Sequence, residues 1–208
     1  MRFSRTTTIA LLLTLLLVTR ITPPLLVKLF VSTGFQMSGL GYLWGFAPTW
    51  AACLFCGAMF RNRWLAVGVP LFAQVLGDAA YWAISEQFSQ GFGIVQMTNY
   101  VIIAALTVAG MFLPRTPSAP RLGGMCIGAA LVHFVLSNFI VWLAPLPTHI
   151  NMPAYPLSLE GLVSCYVMAL PFLPASLLGT LAYGYGLFAL LGPVQVPADS
   201  LEENAASV

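Results

Sequence analysis

The feature that most constrains this chain is a series of long apolar runs that contain almost no ionised side chain. Residues 122–144, for example, include no Asp, Glu, Lys or Arg. Over 208 residues the chain is 59% hydrophobic and 7% charged, whereas an ordinary soluble domain carries about 25% charged residues. Gly, Ala and Pro interrupt the runs, and no strand-like alternation persists. The runs therefore predict an all-α integral membrane protein and not a membrane barrel.

We predict one domain over residues 1–194 and a disordered cytoplasmic tail over residues 195–208. Its six transmembrane helices should cover about 6–20, 47–60, 64–84, 94–113, 122–144 and 159–191. The first run could also be a secretory signal, but no small-x-small cleavage site follows it, so we expect it to be retained as a span.

Proline and glycine shape two of the connections. Pro171 and Pro174 predict a break near residues 171–174, because proline removes a backbone donor and clashes with the preceding turn. The segment 21–46 contains Pro23 and Pro24 followed by several glycines and aromatic residues. It is therefore predicted to be an external connection that packs at the lipid interface or covers a cavity as a lid.

The distribution of basic residues predicts the orientation, because short cytoplasmic loops carry an excess of Lys and Arg. If the N-terminus is cytoplasmic, only Arg20 and Lys28 fall outside. The residues that then fall inside are Arg2, Arg5, Arg61, Arg63, Arg115 and Arg121. We therefore expect a multi-pass protein of the cell (inner) membrane with both termini in the cytoplasm.

Polar side chains in the predicted spans gather at one level, below the outer surface. At a rise of about 1.5 Å per residue, Asp78 and Asn138 lie about 9 Å below the outer ends of their spans, and Asn99 about 7 Å. Unpaired polar groups in hydrocarbon cost several kcal/mol, so these groups need partners, water or a ligand. The layer predicts a ligand pocket in the outer half, formed by Asp78, Trp82, Asn99, Tyr100, Asn138, Trp142, Glu160 and Ser164.

Several of these residues also have a structural interpretation. Asp78 either forms an ion pair with Arg20 or contacts the ligand, and both can hold at once. For Asn138 we favour a hydrogen bond across helices. For His133 we favour the same kind of bond over a role in a proton relay. Glu160 is typical of an acid at a helix start, stabilised by the helix dipole. On the inner half, small residues such as Gly124 and Gly128 predict close helix packing.

Other classes of protein receive little support. Cys53 and Cys56 form a C-x-x-C pair, but the remaining two cysteines lie on distant spans, so helix packing is favoured over a metal or redox site. No motif for a phosphate loop, a zinc protease or a nucleophile elbow occurs, and a membrane enzyme using His133 and Ser137 remains the weakest hypothesis. We predict no cofactor, no metal and no nucleic-acid partner.

Several short stretches resemble an uncharacterised bacterial family of proposed transport proteins, and that family in turn resembles the substrate-binding (S) components of energy-coupling-factor transporters. The resemblance covers roughly residues 40–192. It rests on Phe46-Ala47-Pro48-Thr49, on the span from Ala51 to Phe60, on Pro70-Leu71 and Gly77-Asp78, on Ser137-Asn138-Phe139 with Trp142, on Tyr155-Pro156 and Gly161-Leu162, and on Cys165-Tyr166, Leu170-Pro171-Phe172 and Leu178-Gly179.

The resemblance implies an S-component-like bundle of six helices with both termini cytoplasmic. It also implies a pocket for a vitamin or metabolite towards the outside, and docking on a coupling transmembrane subunit driven by separate ATPases. The first hypothesis is therefore the small-molecule-binding subunit of an uptake transporter in the lipid membrane. The alternative is a structural or assembly protein whose polar residues only fix helix packing.

Overall fold

The structure is a computed structural model that describes residues 3–32, 45–86, 91–144 and 155–193. Within these ranges it is all-helical, with no β-strand. Its elements are α1 (Arg5–Ser32), α2 (Thr49–Met59), α3 (Arg63–Ser85), α4 (Ile94–Gly110), α5 (Ala119–Leu143), α6 (Leu159–Ala169), a 3₁₀ turn (Leu170–Phe172) and α7 (Leu173–Leu191). The all-α prediction is confirmed for this part of the chain, and the tail over 195–208 lies outside it.

In the part of the chain that the structure describes, four helical stretches are long and apolar enough to cross a membrane: Arg5–Phe30, Arg63–Ser85, Ala119–Leu143 and Leu159–Leu191. Large apolar side chains are exposed around the bundle, among them Leu29 on α1, Val101 on α4 and Leu190 on α7. Exposing such an apolar perimeter is unfavourable in water, whereas contact with lipid tails is favourable. The chain therefore has the character of a helical membrane protein.

Helix α2, which has 11 residues, lies at the centre of the bundle. Nine of its 11 residues are buried, on all sides of the helix. One side packs with α1, α3 and α7 in a core that includes Leu12, Phe55 and Leu187. The other packs with α4 and α5 in a core that includes Leu54 and Ile103. Apolar residues all round a helix are typical of a fully buried element, and this placement explains the composition of α2.

The segment after the first predicted span is helical, which corrects the prediction of a connection beginning at residue 21. Helix α1 continues without interruption to Ser32 and includes Pro23 and Pro24. Each proline removes one backbone hydrogen bond, but tertiary packing against α3 holds the helix together. The packing extends to the far end of both helices, where Lys28 Nζ donates to the carbonyl of Ile84 at 3.2 Å. The rest of the predicted lid, residues 33–44, lies outside the described residues.

The boundaries predicted for the other five segments agree with those of the helices to within about three residues, although α2 and α4 are shorter than the four helical stretches that could cross a membrane. The predicted break near residues 171–174 is milder than expected. The chain there forms the 3₁₀ turn Leu170–Phe172, and α7 begins directly at Leu173. Pro171 and Pro174 each lie in the first two positions of a helical element, where the missing backbone donor has no partner to lose.

Close helix packing occurs at different glycines from those predicted. A Cβ added to Gly124 or Gly128 would meet nothing within 4 Å, so these residues do not mark a tight contact in the described structure. The close approach is between α2 and α4, where a Cβ on Gly110 would lie 2.5 Å from the carbonyl oxygen of Leu54. A Cβ on Gly57 would collide with the carbonyl of Thr107. The prediction failed because spacing along one helix does not reveal which face meets a neighbour.

Candidate ligand-binding site

The most polar group inside the bundle is the carboxylate of Asp78 on α3, whose side chain is completely buried. Arg20 on α1 donates from Nε to Asp78 Oδ1 at 3.0 Å and from Nη2 to the same oxygen. Gln74, one turn earlier on α3, places Nε2 3.1 Å from each carboxylate oxygen. The hydroxyl of Tyr100 on α4 donates to Oδ2 at 3.0 Å. Both carboxylate oxygens are therefore satisfied by protein donors.

The position of Arg20 depends on the absence of a side chain at Gly77. A Cβ at this residue would lie 2.6 Å from Arg20 Cγ, so only glycine lets the arginine cross the face of α3. The guanidinium carbon lies 5.4 Å from the centre of the Tyr81 ring, a distance at which a cation–π attraction contributes. Arg20 is thus held by a carboxylate and an aromatic ring of the same helix.

A cavity of about 160 Å³ lies beside this ion pair. Residues from α1 to α5 and from the segment before α2 line it, so it forms where five helices meet. The lining residues are Thr19, Arg20, Pro23, Pro24, Gly45, Ala47, Thr49, Trp50, Gln74, Tyr81, Asn99 and His133. Its volume is close to the roughly 150 Å³ of an engineered protein cavity that accommodates benzene. A molecule of about one ring therefore fits.

Asn99 is the lining residue with an unmet hydrogen-bonding requirement. Its Oδ1 is buried and has no hydrogen-bond partner among the described residues. Leaving a buried polar atom unsatisfied costs about 1–3 kcal/mol. Native proteins rarely retain such an atom without a reason, and a bound ligand or water is the usual one. An amide also carries two N–H donors, so Asn99 can both donate to and accept from a ligand.

Two aromatic side chains form another wall of the cavity. The His133 ring on α5 stacks on the Trp50 ring of α2, with centroids 4.2 Å apart and an interplanar angle of 30°. His133 was predicted to hydrogen-bond to a neighbouring helix, and in the structure its ring contacts α2 by stacking instead. Stacked aromatic pairs contribute about 0.5–1.5 kcal/mol beyond their area burial, so this wall is held firmly in place.

The two prolines inside α1 leave backbone carbonyls without an intrahelical donor beside the same cavity. Proline has no N–H, so Pro23 and Pro24 cannot donate to the carbonyls of Thr19 and Arg20, one turn earlier. All four residues line the cavity. Carbonyls released in this way are available to other donors, as in transport proteins whose helices are interrupted at a binding site.

Three of the predicted site residues come together here. Asp78 and Tyr100 belong to the Arg20 network, and Asn99 lines the cavity. Of the two roles predicted for Asp78, an ion pair with Arg20 and contact with the ligand, the structure contains the ion pair. Both carboxylate oxygens accept hydrogen bonds from protein donors. Asp78 does not line the cavity itself. It hydrogen-bonds to Arg20 and Gln74, which do line it.

The other five residues are elsewhere. Trp82 is 44% exposed and packs edge-on against Phe92 with ring centroids 6.1 Å apart. Trp142 Nε1 donates to the carbonyl of Pro156 at 3.0 Å. Glu160 and Ser164 are exposed on α6. Glu160 lies in the first turn, as expected for an acid near the helix dipole.

Asn138 corrects the predicted hydrogen bond across helices. Its Nδ2 donates at 2.7 Å to the carbonyl of Phe134, one turn earlier on the same helix. The link to the neighbouring helix is made instead by its backbone, whose carbonyl accepts from the Cys165 thiol at 3.4 Å. Asn138 lines a different cavity, between α5 and α7.

Sequence reasoning missed several lining residues because they resemble other features. Trp50 and Tyr81 are typical of the aromatic belt at a lipid interface. The end of the first predicted span falls near Thr19, Pro23 and Pro24, so the pattern predicts a helix boundary there. The one usable signal was the spacing of Gln74 and Asp78, four positions apart, which places both on one face of α3.

The C-x-x-C pair packs in the core. Cys53 and Cys56 are both completely buried, each in a different apolar cluster around α2. Within the described ranges, no three His, Cys, Asp or Glu side chains are grouped closely enough to hold a metal ion.

The sequence profile of a family of unknown function, DUF6580, matches residues 2–201. The match covers nearly the whole chain, so the chain belongs to this family. No curated protein and no solved structure matches the chain significantly.

Proposed function

Because membership of DUF6580 assigns no activity, we propose from the geometry that the protein binds a small, polar molecule in the cavity beside Arg20 and Asp78. The observation that carries this proposal is the combination of a one-ring cavity with a buried Asn99 oxygen that no described residue satisfies. A cavity closed only for packing would be smaller or lined by apolar groups. This one has hydrogen-bonding groups on several helices and aromatic walls, as ligand sites do.

The charge balance of the cavity favours a ligand without a strong net charge. Arg20 is the only ionised residue in the described lining, and Asp78 neutralises it directly. The remaining polar groups are amides, hydroxyls, an imidazole and released backbone carbonyls. A vitamin or metabolite fragment with both donors and acceptors matches this set, and Asn99 is the side chain that orients it.

The fuller proposal is a multi-pass protein of the inner membrane that serves as the binding subunit of an uptake transporter. Arg5, Arg61 and Arg115 surround one end of the bundle, and Lys28 lies at the other, beside Glu86. With the arginine-rich end in the cytoplasm, the cavity faces the outer half of the membrane. Six crossings require α2 to cross together with flanking residues, because 11 residues rise only about 16 Å.

The resemblance to S components extends this proposal to partners. It implies a coupling transmembrane subunit and separate ATPases, which would supply the energy that this chain has no motif to obtain. Co-purification from the native membrane, with tagged protein as bait, tests this part separately from binding.

Thermal unfolding of the purified protein against a panel of vitamins and metabolites tests the binding proposal. A ligand at a hundred times its Kd stabilises the protein by about 2.7 kcal/mol, which is easily detected. We expect hits with wild type, a smaller shift with Asn99→Leu, and an unchanged shift with Thr98→Val. Thr98 is a matched control because its hydroxyl donates to the Ile94 carbonyl of its own helix at 2.9 Å and it does not line the cavity.

The same variants separate binding from a structural role. If Asn99→Leu is clearly less stable than wild type and no compound on a broad panel shifts unfolding, the alternative of a structural or assembly protein is favoured. If hits bind but radiolabelled hits are not taken up by vesicles, binding stands and transport fails. Asp78→Asn cannot make this distinction, because breaking the buried ion pair destabilises the fold in either case.

A further inference from the structure

A second cavity, of about 190 Å³, lies on the other side of His133, between α5 and the start of α7. Its lining is Phe134, Ser137, Asn138, Ala169, Phe172, Leu173 and Ser176, together with His133. His133 is the one described residue that lines both cavities. Unlike the first cavity, this one includes no Asp, Glu, Lys or Arg in its described lining.

Ser176 is the unusual residue of this cavity. It is 7% exposed, and its Oγ is buried with no hydrogen-bond partner among the described residues. Hydroxyls elsewhere in the bundle donate to a carbonyl one turn earlier. Thr107 does so to Ile103 at 2.8 Å, and Thr180 does so to Ser176 at 2.7 Å. Ser176 departs from this pattern although it lies in the same helix as Thr180.

The backbone around Ser176 is helical and closely packed. Phe172, one turn earlier, is the last residue of the 3₁₀ turn and the N-cap of α7, with φ −85° and ψ −21°. Gly45 packs against this point, since a Cβ there would lie 3.1 Å from the Phe172 oxygen and 3.1 Å from the Ser176 nitrogen. Among the described residues the Ser176 hydroxyl therefore lacks a partner, and it belongs to a residue that lines the cavity.

The other polar side chains of the cavity are already engaged. Asn138 donates to the Phe134 carbonyl at 2.7 Å, and Ser137 Oγ lies 3.5 Å from the same oxygen. The rest of the lining is aromatic or aliphatic except for His133. The described lining thus has no Asp, Glu, Lys or Arg and one unsatisfied hydroxyl, and these two features define the complementary ligand.

We propose that the cavity between α5 and α7 is a second binding site, for an uncharged and largely apolar molecule of about one ring that hydrogen-bonds to Ser176 Oγ. The absence of ionised groups from the described lining disfavours a charged ligand, because no described side chain there compensates for its desolvation. The volume again exceeds the roughly 150 Å³ that accommodates benzene. This site does not depend on ligand binding in the first cavity.

The test uses two probes that differ only in a hydroxyl group, 4-fluorobenzyl alcohol and 4-fluorotoluene. Saturable binding to the purified full-length protein is followed by ¹⁹F relaxation. We expect wild type to bind the alcohol, and Ser176→Ala to bind it about tenfold more weakly, as for loss of one buried hydrogen bond. The affinity for 4-fluorotoluene should be the same in both proteins.

Three controls make the result decisive. Ser164→Ala removes an exposed hydroxyl of α6 and should leave alcohol binding unchanged. Thr98→Val should also leave it unchanged, because Thr98 lines neither cavity and its hydroxyl donates to the Ile94 carbonyl of its own helix. The ligand-free Ser176→Ala protein should be at least as stable as wild type, because an unsatisfied group is removed.

Several outcomes would overturn the proposal. One is the absence of saturable alcohol binding to wild type, and another is equal affinity in wild type and Ser176→Ala. Clear destabilisation of ligand-free Ser176→Ala would show that the hydroxyl has a structural partner. The Ser176 hydroxyl would then not be free to hydrogen-bond to the ligand.

Discussion

Arg20 and Asp78 lie 58 positions apart in the chain and form an ion pair in the interior of the helix bundle. The two side chains are not equally protected. Asp78 is completely buried, whereas the Arg20 side chain retains 33% exposure, partly towards the cavity. The pair therefore joins α1 to α3 and at the same time forms the boundary of the candidate site.

This asymmetry predicts unequal effects of removing each partner. Arg20→Met leaves a buried carboxylate without its counter-charge and should cost about 3–5 kcal/mol of unfolding free energy. Asp78→Leu leaves a partly exposed guanidinium and should cost less. The double variant should cost less than the sum of the two single changes, because no unpaired charge remains. Unfolding of all four proteins in mixed micelles measures this cycle, and additive effects would contradict a direct ion pair.

The contact between α2 and α4 predicts a strong effect of single methyl groups. Gly110→Ala would place a Cβ 2.5 Å from the Leu54 oxygen, and backbone cannot move aside as a side-chain end can. We expect a loss of about 1–3 kcal/mol, as for overpacking in a core. The matched control is Gly128→Ala on α5, where the new Cβ meets nothing within 4 Å.

The control should be neutral or slightly stabilising, because alanine favours helix over glycine by up to about 1 kcal/mol. Thermal unfolding of the two purified variants compares them directly. Equal stability of Gly110→Ala and wild type would mean that α2 and α4 lie farther apart than the structure shows.

The orientation of the bundle predicts labelling from opposite sides of the membrane. Ser118→Cys lies at the start of α5, is exposed, and has no side-chain capping bond to lose. Glu86→Cys lies at the end of α3, where the native side chain is 83% exposed. A membrane-impermeant maleimide should label Glu86→Cys in intact cells and Ser118→Cys only after lysis.

The native cysteines provide a low background for this measurement, because all four are buried. Labelling of Ser118→Cys in intact cells would invert the proposed orientation and place the cavity in the cytoplasmic half. Labelling of both positions in intact cells would contradict a crossing by α4, the helix that lies between them in the chain.

The helical composition and most helix boundaries were predictable, since apolar runs and the proline and glycine positions act locally. The prediction failed at Pro23 and Pro24, where local preference favours ending a helix. In the structure, α1 continues because Arg20 and Lys28 make contacts with α3 that hold it in place. Such contacts involve residues more than 50 positions away, so no local pattern indicates them.

The candidate site was predictable only in its depth. The distances along the helices predict Asp78, Asn99 and Tyr100 at one level, and the structure places Tyr100 on Asp78 and Asn99 in the lining of the adjoining cavity. Trp142, Glu160 and Ser164 have a similar depth but are on α5 and α6, away from the ion pair. Depth gives only the position of a residue along its helix. Whether two residues at the same depth meet also depends on the rotation of each helix about its axis, which the sequence pattern does not give.

By itself, the sequence determined that the chain is helical and apolar, and that its few polar groups inside the helices must be satisfied, because burying them unpaired in hydrocarbon is too costly. Only the tertiary structure decided which groups satisfy one another. It surrounded the Asp78 carboxylate with protein donors. It left the buried side-chain oxygens of Asn99 and Ser176 without a hydrogen-bond partner among the described residues. The physical reason is that hydrogen bonds depend on positions within a few tenths of an ångström, and the packing of distant helices sets those positions.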